Sequence, residues 1–423
     1  MSEIPRLRRW LAATALLWMA VINGVILWNT RVEIRRGYGD FASFYTAGTL
    51  VRRGLGAEIY NPAAQWKVQQ EFAAEVQTRR GPLHYMRPPF EALLFSVFAI
   101  WPYATALLLW TGLKLALLSA IPFIVVPSGF WKEGFPRWAT VVLALGTFPE
   151  FMDLPMGQDA ALLAFLFAIS FWQLATDRDA GAGFTLGLAL FKFQLVIPFV
   201  VMLWIGGRKR IWPGFATSAV AVIAISAVIV GWKGLLRYPG YLLALNQATG
   251  VGIVPESQIN LRGLFTLIVG RLSSPGLIYW VLAPVALGAI AYTGLIWRKA
   301  GGRSSSLAVG FALATIVALV TSYYTNDYDL LLLIVPLLAI RARPDDAPEA
   351  DRVTRYLTRY LEATGLLLLL LTPVYWFARV ELQAECLMTL PLLAVGVGLA
   401  RRLRLAGAGV SAERRAPVLD GCA

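Results

Sequence analysis

GYGDFASFYTAGTLVRRGLGAEIY, residues 37–60, opens a long polar stretch directly after an apolar run, residues 10–28. The rest of the chain is arranged around that junction. It places one carboxylate, Asp40, beside Phe41, Phe44, Tyr45, Ala47 and Gly48. Taken alone, Asp40 has an ordinary use. The spacing predicts a short helix over 41–53, stopped by Gly54, and an Asp ahead of such a helix caps it by accepting backbone N–H bonds. Whether Asp40 does more depends on what the other segments bring to the same face.

Working outward, the chain of 423 residues is 58% hydrophobic and 15% charged, with a mean hydropathy of +0.63. A soluble domain carries about 25% charge. The apolar residues fall in runs of about 17–25, the length that crosses a bilayer as helix. These features predict an all-α polytopic membrane protein. The net charge of +13 is gathered in short clusters between apolar runs: Arg6, Arg8 and Arg9; Arg208, Lys209 and Arg210; Arg298, Lys299 and Arg303; Arg401, Arg402 and Arg404. That is the distribution of cytoplasmic loops under the positive-inside rule and does not point to nucleic acid. Two cysteines, Cys386 and Cys422, and a single histidine, His84, form neither a disulfide framework nor a zinc set. No P-loop or dinucleotide fingerprint is found, and no cofactor is expected. The first apolar run lacks a small-residue cleavage site and reads as a retained helix.

In chain order, residues 1–9 are expected in the cytoplasm and 10–28 as the first span, delivering residues 29–89 outside. Within that loop, Asn61-Pro62 reads as an N-cap followed by proline at the first helical position. Val68, Phe72 and Val76 recur every four residues, predicting an amphipathic helix along the membrane surface. Residues 90–100 are too short to cross and end near Pro102. Spans are expected over 103–126, 138–151 and 160–175, with Met156-Gly157-Gln158-Asp159 outside. Residues 183–205 hold Lys192, Gln194 and Pro198 in mid-segment and read as a broken, re-entrant pair of half-helices; the alternative is that this segment and residues 90–100 both cross fully, which inverts the loops between them. Further spans are expected over 211–230, 277–297, 307–321, 330–340, 361–377 and 386–400. They leave residues 231–258 as a second outer loop and 322–329 outside. The sum is a bundle of roughly 11–13 spanning or partial helices in one domain, 1–404, followed by a disordered cytoplasmic tail, 405–423. No fixed-period repeat appears, and the halves do not mirror each other.

This topology gathers Asp40, the Gln158/Asp159 turn and Asp327/Asp329 at the outer leaflet, with Lys192 and Arg262 approaching from membrane depth. An ionisable residue in a bilayer is costly and marks a functional site by default, although Lys192 could also snorkel or pair with a structural carboxylate. Asp327 and Asp329 could equally cap the following helix. A reaction with a lipid-phosphate leaving group needs a cation for the phosphate, a carboxylate to take a proton from the attacking hydroxyl, aromatic walls and an apolar groove. The outer face and the half-helices offer that set.

Several stretches carry a resemblance: Asp40 to Gly48 (DFASFYTAG), Arg87-Pro88-Pro89-Phe90, Gly157-Gln158-Asp159, Gly187 to Lys192 (GLALFK), and Tyr324-Thr325-Asn326-Asp327-Tyr328-Asp329. In their order and placement they resemble glycosyltransferase family 87, within the GT-C class of membrane glycosyltransferases. The resemblance implies a GT-C-like fold and transfer of a sugar, mannose first among the candidates, from a polyprenyl-phosphate donor to a glycolipid or glycan hydroxyl. It implies inversion at the anomeric carbon, with Asp40 as catalytic base and Lys192 and Arg262 facing the donor phosphate. Phe44, Tyr45, Gln158, Asp159, Tyr324 and Asp327 would line the sugar or acceptor pocket. The implied setting is a bacterial-type plasma membrane with both termini cytoplasmic and the site extracytoplasmic. The chain departs from the pattern where many members carry a histidine, having Tyr323, Tyr324 and Asn326 there. The competing class is a transporter or flippase that binds an anionic lipid-linked substrate at Lys192. A third is an inactive relative that scaffolds an envelope complex.

Overall fold

A computed structural model of the chain describes residues 3–74, 81–127, 140–141, 144–247, 254–269, 275–301, 304–342 and 377–415. Among the described residues there is no β-strand. Helix is the form in which an apolar segment satisfies its own backbone N–H and C=O groups without water. Among the described residues four helices are long and apolar enough to cross a membrane: Tyr103–Val125, Ile211–Leu245, Trp280–Ala300 and Glu385–Ala408. A fifth crossing is added if Asp179–Leu188 and Leu190–Ile205, bent by 65° at their junction, form one broken span. Shorter apolar helices cover Pro89–Phe98, Ala160–Ala175 and Ser306–Thr321. The chain is therefore an all-α polytopic membrane protein. The expected first span lies inside a single helix, Glu3–Arg35. Of the segments predicted to cross, most of 361–377 lies outside the described residues.

The break expected near Lys192 is present as a short 3-10 turn, Leu190–Lys192, between the two half-helices. The first half packs on Ile211–Gln247 by close backbone approach. A Cβ on Gly183 would overlap the carbonyl of Ile211, and one on Gly187 the hydroxyl of Ser218. Small residues one turn apart are how helices come together where lipid supplies no hydrophobic drive between them.

Three expectations are corrected. Residues 231–258 are not simply an outer loop: the helix Ile211–Gln247 continues past a kink at Gly231, whose φ of 72° is left-handed. Gly231, Pro239 and Gly240 read locally as loop signals. Their effect is confined to the kink because Tyr238 and Tyr241, beyond it, are held by hydrogen bonds to residues 85–86. The tail is also helical further than expected, since Thr389–Arg415 runs through residues 405–415. Ala, Glu and Arg there favour helix, and the first proline after them is Pro417. Finally, Pro62–Ala73 forms with Asn61 as its cap, accepting from the Ala63 N–H at 3.0 Å. However, its buried face contains Gln65 and Gln69 beside Val68, so it packs on protein through polar as well as apolar contacts. Val76 lies outside the described residues.

Two apolar clusters flank the site. One joins Phe41, Phe44, Tyr85, Phe95 and Trp110 from the first loop, Pro89–Phe98 and Tyr103–Val125. The other joins Phe167 of Ala160–Ala175, Phe199 of Phe193–Ile205, Phe311 of Ser304–Thr321 and residues 330–335.

Candidate active site

Gly157 ends the helix Phe148–Met156 in the left-handed conformation, φ 64°. The next two residues, Gln158 and Asp159, are turned back into the protein, where both are buried. The first loop meets this turn closely. A Cβ on Gly157 would lie 2.6 Å from that of Phe41, and a Cβ on Gly39 would overlap the Pro155 carbonyl oxygen. Glycine at both positions lets the two motifs touch. Trp110 donates to the Gly157 carbonyl at 3.0 Å, and Lys114, one turn further, donates to the Asp153 carbonyl at 2.8 Å and its carboxylate at 2.7 Å. Tyr103–Val125 thus clamps the end of the helix that presents Gln158 and Asp159.

From this turn a chain of polar contacts runs through the core. Gln158 Nε2 donates to Asp40 Oδ2 at 2.7 Å, and its Oε1 accepts from Arg87 Nη2 at 3.0 Å. Arg87 also bonds Asp159, with Nη2 3.1 Å from Oδ1 and 3.0 Å from Oδ2. Lys192 Nζ lies 2.8 Å from Asp159 Oδ1 and is paired on its other side with Asp329. The Lys192 ammonium sits 5.0 Å from the centre of the Tyr328 ring. Asp329 accepts from the Asn326 N–H at 2.9 Å, so it caps its helix and pairs with Lys192 at once. Two cations and two carboxylates therefore alternate along the buried part of the chain. Lone buried charges are costly, and each of these has its counter-charge. Burial alone would push the Asp159 carboxyl up; Arg87 and Lys192 outweigh it and hold the group below its ordinary value.

The arrangement sorts the residues that sequence reasoning singled out. Asp40, Gln158, Asp159 and Lys192 are brought together. Asp40 stands at the N-terminus of Phe41–Arg52 but makes no side-chain cap bond, so its carboxylate is turned to Gln158 instead. Phe44 is buried behind the chain, stacked on Phe95 at 4.8 Å, with Arg87 Cζ 5.9 Å from its ring centre. Tyr324 joins through Tyr328, their hydroxyls 3.4 Å apart, and Asn326 Nδ2 donates to Tyr324 at 2.9 Å. Tyr45 is directed away, donating to the Trp101 carbonyl at 2.9 Å. Asp327 faces Arg379, 3.3 Å away, rather than Lys192. Arg262 is buried with its guanidinium 4.2 Å from the centre of the Tyr323 ring, on the flank of the 322–326 turn. Gln258 ties that flank to the site, bonding Asn326 Oδ1 at 2.8 Å and the Thr325 N–H at 3.0 Å.

Arg87 stands in a motif that by itself assigns it no role, and Glu91, whose carboxylate lies 4.0 Å from Arg87 Nε, is not marked by any motif. The available signal was the ionisable pair at the start of an apolar helix. Lys114, Asp153 and Glu150, all fully buried, carry a different signal, charge within apolar helices, and Lys114 meets Asp153 only across 39 positions of sequence.

Comparison with known proteins gives the same direction. The family model described as Glycosyltransferase family 87 matches residues 85–322. A curated relative in Mycolicibacterium smegmatis is a "Polyprenol-phosphate-mannose-dependent alpha-(1-2)-phosphatidylinositol pentamannoside mannosyltransferase". It is 25% identical over 328 residues, covering 76% of this chain and 73% of its own. No solved structure matches.

Proposed function

The chain belongs to glycosyltransferase family 87 and is a membrane glycosyltransferase; from that premise we propose that it moves a sugar, mannose by preference, from a polyprenyl monophosphate to a lipid- or glycan-linked hydroxyl. Membership sets aside the transporter reading. The observation that carries the proposal is the polar chain from Asp40 through Gln158, Arg87, Asp159 and Lys192 to Asp329. The mannose preference comes from the activity for which the mycobacterial relative is named.

In this reading Asp40 is the general base. It is only partly buried, at the edge of the chain, and Gln158 fixes the orientation of its carboxylate. The acceptor hydroxyl gives its proton to Asp40 as its oxygen bonds to the anomeric carbon. The bond from that carbon to the phosphate oxygen breaks on the opposite side, and the polyprenyl phosphate leaves with the electron pair. Attack opposite to departure inverts the centre.

The leaving phosphate needs positive charge held in place beforehand. Arg87, with 11% of its side chain exposed against 1% for Lys192, is the cation nearest the open side, and Lys192 backs it from depth. Arg262, beside Tyr323, is the third candidate for the donor. Tyr324, partly exposed, would face the sugar, with Phe44 and Asp159 supporting the pocket from behind. The site is placed on the extracytoplasmic face with both termini inside, on the distribution of basic clusters.

The test compares wild type with Asp40→Asn in reconstituted membranes, following label from polyprenyl-phosphate mannose and a panel of other polyprenyl-phosphate sugars. The variant should lose about 10²–10⁴-fold in kcat while keeping its fold. Transfer at the wild-type rate by Asp40→Asn would remove Asp40 as base.

A further inference from the structure

Arg87 lies on an extended, partly buried strap, residues 83–88, that has no regular secondary structure and leads into the helix Pro89–Phe98. Two prolines, Pro88 and Pro89, disfavour helix at the residue before each and leave the carbonyls of Tyr85, Met86 and Arg87 with no intrahelical partner, whereas that of Pro88 also accepts from the Glu91 N–H at 3.2 Å. Buried backbone groups must still be paired. Here four successive carbonyls each accept from a tyrosine hydroxyl. Tyr241 bonds the carbonyl of Tyr85 at 3.1 Å, Tyr238 that of Met86 at 2.9 Å, Tyr60 that of Arg87 at 2.7 Å, and Tyr85 that of Pro88 at 3.0 Å. The rings pack on one another, with Tyr60 centred 5.1 Å from Tyr238, 4.8 Å from Tyr241 and 6.1 Å from Tyr85. N–H groups of the strap are held as well, Leu83 by Gln69 at 2.9 Å and Tyr85 by Gln65 at 3.3 Å, and that of Phe90, in the first turn of the next helix, is held by Ser226 at 3.1 Å.

We propose that Tyr60, Tyr238 and Tyr241 are positioning residues for the transfer reaction: their hydroxyls set the register of the strap and thereby the place of the Arg87 guanidinium. The inference rests on the proposed role of the Arg87–Gln158–Asp40 chain. The donors come from two remote elements, Tyr60 from the first loop and the other two from the helical arm beyond the Gly231 kink. The arm therefore reaches the catalytic base without touching it, through Met86, Arg87 and Gln158. A one-residue slip of the strap would carry Arg87 about 3.3 Å along the chain, further than its hydrogen bonds to Gln158 and Asp159 can stretch.

Replacement by phenylalanine deletes only the hydroxyl. In the full-length protein in detergent, Tyr238→Phe and Tyr60→Phe should raise amide exchange in peptides covering residues 83–92, whereas Tyr292→Phe, half-exposed on another helix, should not. In transfer assays the same two variants should lose roughly 10- to 100-fold in kcat with donor KM little changed. Their effect should largely vanish in an Arg87→Lys background, because residues acting through one group are not additive. Unchanged exchange in Tyr238→Phe and Tyr60→Phe overturns the proposal whatever the kinetics. Additive losses with Arg87→Lys also overturn it, reducing the tyrosines to general stability. An Arg87→Lys protein with wild-type kinetics would instead overturn the underlying role of Arg87, and the proposal with it.

Discussion

Gln158 donates to Asp40 at 2.7 Å across 118 positions of sequence, and its other amide atom is engaged by Arg87 at 3.0 Å. A guanidinium has only donors, so the amide must offer its oxygen to Arg87 and its nitrogen to Asp40. The carboxylate is thus oriented from one end by a chain of groups that begins with charge buried in the core. Four consequences can be measured.

Gln158→Leu removes both bonds and leaves Arg87 and Asp40 each short of a partner. We expect roughly 10- to 100-fold lower kcat, with thermal stability lowered by about 1–3 kcal/mol. Steady-state transfer with denaturation in detergent checks both, and a variant that transfers sugar at the wild-type rate would show that Asp40 needs no orienting partner.

Gly39→Ala places a Cβ against the Pro155 carbonyl oxygen and must push the start of Phe41–Arg52 away from the Gly157 turn. Activity should fall at least about tenfold. Gly112→Ala has nothing within 4 Å of the new Cβ and lies inside Tyr103–Val125. It should be neutral, or stabilising by up to about 1 kcal/mol through helix propensity. Indistinguishable activities for the two variants would contradict the packing argument.

Lys192→Met leaves Asp159 and Asp329 facing the same pocket without the cation between them. Breaking a buried pair in this way costs about 3–5 kcal/mol. Adding Asp329→Asn should recover part of the lost Tm, since the amide can still accept from the Asn326 N–H. Equal Tm values for the single and double variants would mean that Lys192 does not act by compensating charge.

Burial first, and then the nearby Glu385, push the Asp327 carboxyl up to about 7, although Arg379 opposes the shift from a half-exposed position. A folded-state value above the unfolded one, about 3.9, favours folding at low pH. That contribution is complete below pH 4 and is lost as pH rises through 7. Thermal unfolding between pH 5 and 8 should therefore fall more steeply for wild type than for Asp327→Asn. Parallel curves would exclude Asp327 as the titrating group.

Much of the fold was legible because lipid permits few solutions. The length of apolar runs marked Tyr103–Val125 and Ala160–Ala175 to within a residue, and Lys192 in mid-segment marked the break between the half-helices. Asn61-Pro62 marked a cap because one residue's side chain and the next one's φ decide it locally. The arm beyond Gly231 was illegible, since glycine and proline there read as a loop and only the tyrosine contacts show why helix persists. Of the site, Asp40, Gln158 and Asp159 could be named from their place beside the ends of expected spans, and Lys192 from its charge in the middle of an apolar segment. Arg87 could not be given a role, because its neighbours Gln158 and Asp159 lie 71 and 72 residues away. Asp327 and Asp329 differ by two positions, yet one faces Arg379 and the other Lys192. Nothing in the composition of that stretch separates them.

By itself, then, the sequence determined that this chain crosses a membrane as helices and which polar residues it carries to one end of them. Both follow from the cost of burying charge and unpaired backbone in an apolar medium, and that cost can be read one segment at a time. Only the tertiary structure decided which charge neutralises which, and that Asp40 points to Gln158 instead of capping its helix. Pairing is a matter of a few ångströms between segments far apart in the chain. Those distances are set where Gly39 meets the Gly157 turn and where four tyrosines hold the Arg87 strap.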